Sequence, residues 1–282
     1  MFTLNSRCFI SFFLVSISFF SVSVYSDAYE NWSGKEIIDE ATQRHERPFE
    51  YEEQIMTLID SKGNQEVREV RRFSREGSDG LYRYVFVFDA PSGVKGVALL
   101  TWQNMNTDDD QWVYLPALGR KLKRQAKGSK RNYFMGTDFA NEDLISEDSG
   151  KFRYKRGADI RLDNLDHFVI RSFPDEKDIK KSTGYKFKDL FIRKDNFFTT
   201  ATDYYDRRGM LLKRQETEEL DYIEGKMFRS NLATMKRFEG GKRGSVIHQT
   251  IVKNVRRSFN ESDVPAKVFE QRFVKSGRHT KN

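Results

Sequence analysis

The chain has 282 residues with 49 basic and 42 acidic side chains, a net charge of +7. The two signs are interspersed, which describes a mixed-charge surface and not a nucleic-acid-binding stripe. A single cysteine, Cys8, excludes a disulfide framework and a thiolate metal site, so packing must supply the stability.

Arg7 is the only charged side chain ahead of an apolar run from Phe9 to Tyr25, and Val24 and Ser26 suit a cleavage site before Asp27. The pattern predicts a secretory signal peptide over residues 1–26. The run is serine-rich and short for a retained membrane anchor. Cys8 stands at its front and not its end, which excludes a lipoprotein anchor. No later segment is long and apolar enough to span a membrane, so the expectation is an exported, soluble domain over 27–274 and a polar tail over 275–282.

Ser33 as N-cap, Glu36 three residues on, and Ile37, Ile38 and Ala41 on one face predict a helix over 31–47, ended by Pro48. From Phe49 the period becomes two. Strands are predicted over 51–59 and 66–73 with a turn at Asp60–Asn64, then over 82–88 and 96–102 with a turn at Ala90–Gly93. Tyr82–Phe88 is apolar on both faces, so both are covered or one faces a ligand cavity. Trp112–Leu115 reads as the next strand; Pro116 stops it and Gly119 turns with positive φ. A basic strand follows over 120–124, then a polar loop, then Phe134–Phe139 and the acidic pair Glu142 and Asp143. Basic residues on one limb and carboxylates on the other suit a latch that folds this loop back onto the sheet.

Short strands are predicted at 151–155 and 166–174, with Pro174 at a strand end or edge. A loop or short helix covers 175–183. One or two strands lie in 190–205, and others at 211–217, 228–238 and 245–255. Ser262 or Asp263 is expected to cap a final short helix that packs Val268, Phe269 and Phe273. Repeated hairpins, few helices and no linker argue for one mainly β domain built on a curved antiparallel sheet.

No motif carries catalysis. His45, His167, His248 and His279 lack metal spacing, and there is neither a G-x-S-x-G elbow nor a P-loop. Asp108, Asp109 and Asp110 do not alternate as calcium ligands do and suit a solvated hairpin tip. The basic residues from Arg120 to Arg131 suit an anionic headgroup, an acidic partner or a plain salt-bridged surface. Phe86, Phe88, Leu99, Trp102, Trp112, Tyr114, Met135 and Phe139 concentrate aromatic and apolar bulk in the central hairpins. They fill an ordinary core or line a groove for acyl chains.

The order W-V-Y-L-P-A-L-G-R from Trp112, followed by F-M-G-T-D-F-A-N-E-D-L from Phe134, resembles the signature of periplasmic outer-membrane lipoprotein-sorting-like proteins, within the LolA/LolB-like superfamily. The resemblance implies an unclosed, strongly curved antiparallel β-barrel with helices covering the concave face. It implies a carrier with no enzymatic activity and no cofactor, which binds acyl chains of a lipid or lipoprotein and moves them towards the outer membrane. An RND-type inner-membrane exporter and an outer-membrane acceptor are the partners it suggests, and a monomer is the favoured state. The eight apolar residues would then line the groove, with Arg120, Arg124, Asp138, Glu142 and Asp143 as headgroup or latch residues. Two other readings stay open: a LolA-like sensor or scaffold that binds a partner protein, and a lipid-acting enzyme with a Ser-His-acid set around His167 or His248.

Overall fold

A computed structural model describes residues 29–119 and 121–281. The expected signal peptide and Arg120 lie outside the described residues. The chain divides into two compact units, Met1–Trp32 and Ser33–Asn282. In the first, the Trp32 N–H donates to the Tyr29 carbonyl at 3.1 Å. The second holds all the helices and strands among the described residues.

The second unit opens with α1, Gly34–His45, started by the expected capping box. The Ser33 hydroxyl accepts from the Glu36 N–H at 3.3 Å, and the Glu36 carboxylate accepts from the Ser33 N–H at 2.7 Å. Gly34 suits a close approach: a Cβ there would lie 3.0 Å from the Arg156 backbone nitrogen. Ile37 and Ile38 are buried.

Fourteen strands follow. The first six are β1 (Phe49–Asp60), β2 (Gln65–Glu76), β3 (Tyr82–Ala90), β4 (Ala98–Trp102), β5 (Asp110–Leu115) and β6 (Lys121–Arg124). A long irregular segment leads to β7 (Phe152–Arg156), β8 (Ile160–Leu162) and β9 (Leu165–Pro174). After α2 (Lys177–Ser182) come β10 (Tyr185–Arg193), β11 (Thr199–Asp206), β12 (Leu211–Glu224), β13 (Met227–Phe238) and β14 (Val246–Ser258), and the chain ends through α3 (Gln271–Lys275). The order across the sheet is β6-β5-β4-β3-β2-β1-β14-β13-β12-β11-β10-β9-β7, with β8 pairing β9. All pairings are antiparallel, and the end strands β6 and β7 do not meet, so the barrel is unclosed. The expected fold class stands. Pro174 ends β9, and that strand is paired on both sides and is not an edge.

The curvature follows from what packs together. Phe86, Phe88 and Leu99 share a cluster with Tyr185 and Tyr204 from β10 and β11 and with Met235 and Val252 from β13 and β14. Strands that far apart in the sheet touch only if it curls towards that face, which is therefore concave. The opposite, convex face carries Val85, Val87, Leu100, Trp112 and Tyr114, covered by Val264, Val268, Phe269 and Val274 near the C-terminus. No helix among the described residues is long and apolar enough to cross a membrane.

Candidate functional site

The concave face has a filled part and an open part. The filled part lies over β3 and β4, where the segment between β6 and β7 returns into the barrel. Phe134, Phe139 and Leu144 from that segment join Phe86, Phe88 and Leu99 in the core, and Phe134 stacks on Phe88 with centroids 5.3 Å apart. Met135 packs against the same cluster.

Three carboxylates fasten this segment. Asp138 is fully buried; it accepts from the Thr250 hydroxyl at 2.8 Å and lies 2.6 Å from His248 Nδ1 and 3.3 Å from Arg237 Nε. Asp143 meets the fully buried Lys213 ammonium at 2.5 Å and accepts from the Tyr185 hydroxyl at 2.8 Å. Burial, reinforced by Asp143, pushes the Tyr185 hydroxyl well above its usual pKa. Glu142 accepts from the Thr183 hydroxyl at 2.7 Å and the Gly184 N–H at 2.8 Å; burial and the neighbouring Asp143 raise its carboxyl pKa. The latch thus grips β12, β14 and the start of β10. It does not grip the basic run as the sequence suggested. Arg124 pairs with Asp110, Lys130 with Asp108 and Lys127 with Asp178. The reason is topological: β6 is an end strand, whereas 138–143 reaches the barrel interior.

The expected single groove is divided between the two faces of the sheet. Phe86, Phe88, Leu99, Met135 and Phe139 come together on the concave side. Trp102, Trp112 and Tyr114 lie on the convex side. There the Trp102 indole N–H donates to the Phe269 carbonyl at 2.9 Å, and His279 meets the Tyr114 ring edge-on at 4.7 Å. Register decides this: Trp112 pairs with Leu100 and Tyr114 with Ala98, and neighbouring residues on paired strands share a face. The residues expected as a polar tail also pack here, since His279 is buried and lies 3.1 Å from the Gly96 carbonyl. Nor do Ser262 and Asp263 cap the last helix. They sit in an earlier 3₁₀ turn, and Glu270 precedes α3.

The open part is a cavity of about 500 Å³ between α1 and the concave face. Ile38 and Ala41 of α1, Leu190 of β10, and Phe197 and Phe198 just beyond it give apolar walls. Glu50 and Glu52 of β1, Arg72 of β2, Arg229 of β13 and Arg257 of β14 give a charged floor. His45 contacts the Asn196 carbonyl at 3.1 Å, and burial holds its imidazole down at about 4. Glu46 lies at the same place in the lining, pushed up to about 7 by burial and by Glu76 and Asp148.

A family model with the description "Uncharacterized protein" matches residues 80–276. The chain belongs to that family. A domain from Vibrio parahaemolyticus, named for outer membrane lipoprotein sorting, is 27% identical with a TM-score of 0.77, covering 86% of this chain and 98% of its own. A DUF1329 family protein from Desulfovibrio piger is 24% identical at TM-score 0.76, covering 86% and 97%. A LolA superfamily protein from Nitrosomonas europaea has the same fold at 16% identity and TM-score 0.66, covering 86% and 99%. No curated protein matches in sequence. The resemblance to lipoprotein-sorting-like proteins, stated on the Trp112–Leu144 motif, therefore holds, and the fold is shared with a LolA superfamily protein.

That family motif led to the latch and missed the cavity floor. Glu50, Glu52 and Gln54 alternate in register with Met56 and Leu58, on one face of β1. Arg68, Val70, Arg72 and Ser74 do the same on β2. A face that changes along its length from apolar to charged is the signal that was present. A charged residue every second position otherwise describes a solvated strand face.

Proposed function

We propose that the chain is a periplasmic, non-catalytic carrier that takes the hydrocarbon of a lipid or lipoprotein into the cavity beneath α1 and moves it towards the outer membrane. The observation that carries this reading is the cavity itself, a volume of about 500 Å³ in the range of small-ligand sites, with apolar walls at Ile38, Leu190, Phe197 and Phe198. Burying hydrocarbon there contributes roughly 0.8 kcal/mol per methylene with no directed chemistry. Export rests on the apolar run from Phe9 to Tyr25. An RND-type exporter upstream and an outer-membrane acceptor downstream fit such a route. Phe86, Phe88 and Leu99 extend the binding surface only when the 133–144 segment lifts.

A second reading, a scaffold that binds a partner protein, is favoured by the filling of that aromatic region with the chain's own side chains. Mass spectrometry of solvent extracts separates the two. Mature protein purified from the periplasm without detergent yields a stoichiometric lipid if it is a carrier. Empty protein that also fails to take up fluorescent acyl probes supports the scaffold.

A further inference from the structure

The floor of the cavity holds more positive charge than its own carboxylates neutralise. Arg229 forks onto Glu50, with Nε at 2.8 Å and Nη2 at 3.3 Å. Arg257 reaches Glu52 at 2.8 Å and lies 3.5 Å from Glu50. Arg72 uses Nη1 for both, at 3.2 Å from Glu52 and 3.6 Å from Glu50. The Glu52 oxygens also accept from Gln54 at 3.0 Å and Asn254 at 2.9 Å, so their lone pairs are occupied. Burial alone would push the Glu50 carboxyl up; Arg229 and Arg72 outweigh it and hold it below the usual range. Two carboxylates thus face three guanidiniums.

The other charges in the lining do not remove the surplus. Glu147 is paired with Lys188, Arg47 lies 3.6 Å from Glu224, and His45 is neutral at pH 7. Glu46, at about 7, carries only part of a charge. An uncompensated guanidinium in a partly buried site is costly, and an anion that accepts its spare N–H groups relieves that cost. Arg72 is well placed to receive one. It lines the cavity, only its Nη1 has a hydrogen-bond partner among the described residues, and its guanidinium lies over the Tyr84 and Phe86 rings at 5.7 and 5.9 Å.

The charges sit on the adjoining strands β2, β1, β14 and β13, and the apolar walls on α1 and the β10 side. Such a division suits a ligand with one charged end and one hydrocarbon end. We infer that the cavity binds a single-chain anionic amphiphile, with a carboxylate or phosphate head on Arg72 beside Arg257 and Arg229, and its chain along Ile38, Leu190, Phe197 and Phe198. The inference rests on the carrier reading and names its ligand class. Arg124, the headgroup residue expected from the sequence, lies far from this task on an exposed end strand.

The test uses the full mature chain and three fluorescent probes with the same eleven-carbon chain: a dansyl-labelled carboxylic acid, its methyl ester and a trimethylammonium analogue. The acid should bind roughly tenfold or more tightly than the ester, as a charge-assisted hydrogen bond supplies, and the cation should bind weakest. Dodecanoate should displace the acid, while inorganic phosphate at the same concentration should not. Arg72→Gln should abolish the preference for the acid and leave ester binding intact. Equal affinity for acid and ester in the unmodified chain overturns the anionic site and leaves the carrier reading standing. Displacement by phosphate as effective as by dodecanoate makes the ligand a free anion and also overturns it. If none of the probes binds, the carrier reading itself fails. Because the comparison of probes uses the unmodified chain, it stays decisive even if the Arg72 variant folds poorly.

Discussion

The two parts of the concave face are made by the same curled sheet and end differently. Over β3 and β4, the chain supplies its own occupant, with Phe134, Phe139 and Leu144 closing on Phe86, Phe88 and Leu99. Beneath α1, the sheet presents Glu50, Glu52, Arg72, Arg229 and Arg257, and a volume remains. Apolar side chains pack to crystal-like density when an inserted segment matches them. Ion-paired guanidiniums cannot be packed that way without stranding their hydrogen-bonding groups, so a charged wall tends to border space or water. Aromatic density therefore marked the part of the barrel that is stable. Charge marked the part that is open.

The sharpest way to break that contrast is to unfasten the filled part. Lys213→Met strands Asp143 in the interior and should cost about 3–5 kcal/mol in denaturant unfolding. A loss below about 1 kcal/mol would mean the segment is not latched there. Phe139→Ala should cost a similar ~3–5 kcal/mol and leave a void. If the void collapses, hydrophobic-probe uptake stays unchanged; if it persists, a second binding volume appears. Ala41→Trp works on the open part, projecting an indole from α1 into the cavity. It should lower acyl-probe affinity by more than about tenfold for no more than ~1–3 kcal/mol of stability.

A smaller effect separates the two parts by pH. Burial raises the Glu46 carboxyl pKa from 4.5 to about 7, so the folded chain holds its proton more tightly than the unfolded chain does. The resulting stability is fully present below pH 4.5 and lost as pH rises through about 7. Glu46→Gln should flatten that loss and exceed the parent's stability at pH 8 by on the order of 1 kcal/mol, allowing for partial exposure. A parallel shift of both pH profiles would contradict the assignment. Least of all, Arg124→Ala should change stability by less than ~1 kcal/mol, since its pair with Asp110 is largely exposed.

Local chemistry alone determined a good deal of this protein. The Ser33–Glu36 box starts α1 because it satisfies backbone donors within one turn. Gly119 turns with φ of 75° after Pro116, and the period-two runs became antiparallel strands, although β2, β10, β12 and β14 extend beyond their expected bounds, β12 as far as Glu224. Only the tertiary structure decided which face each strand shows to which neighbour. The pairing of β1 with β14, which joins the two halves of the sheet, links Met56 to Val252 across nearly the whole domain, and nothing local specifies it. Tertiary packing also set Trp112 on the convex side, carried Asp138 to His248 and Thr250, and gathered Glu50, Arg72, Arg229 and Arg257 from four strands. A strand's alternation fixes which residues share a face; the direction of curl decides whether that face becomes surface, core or cavity.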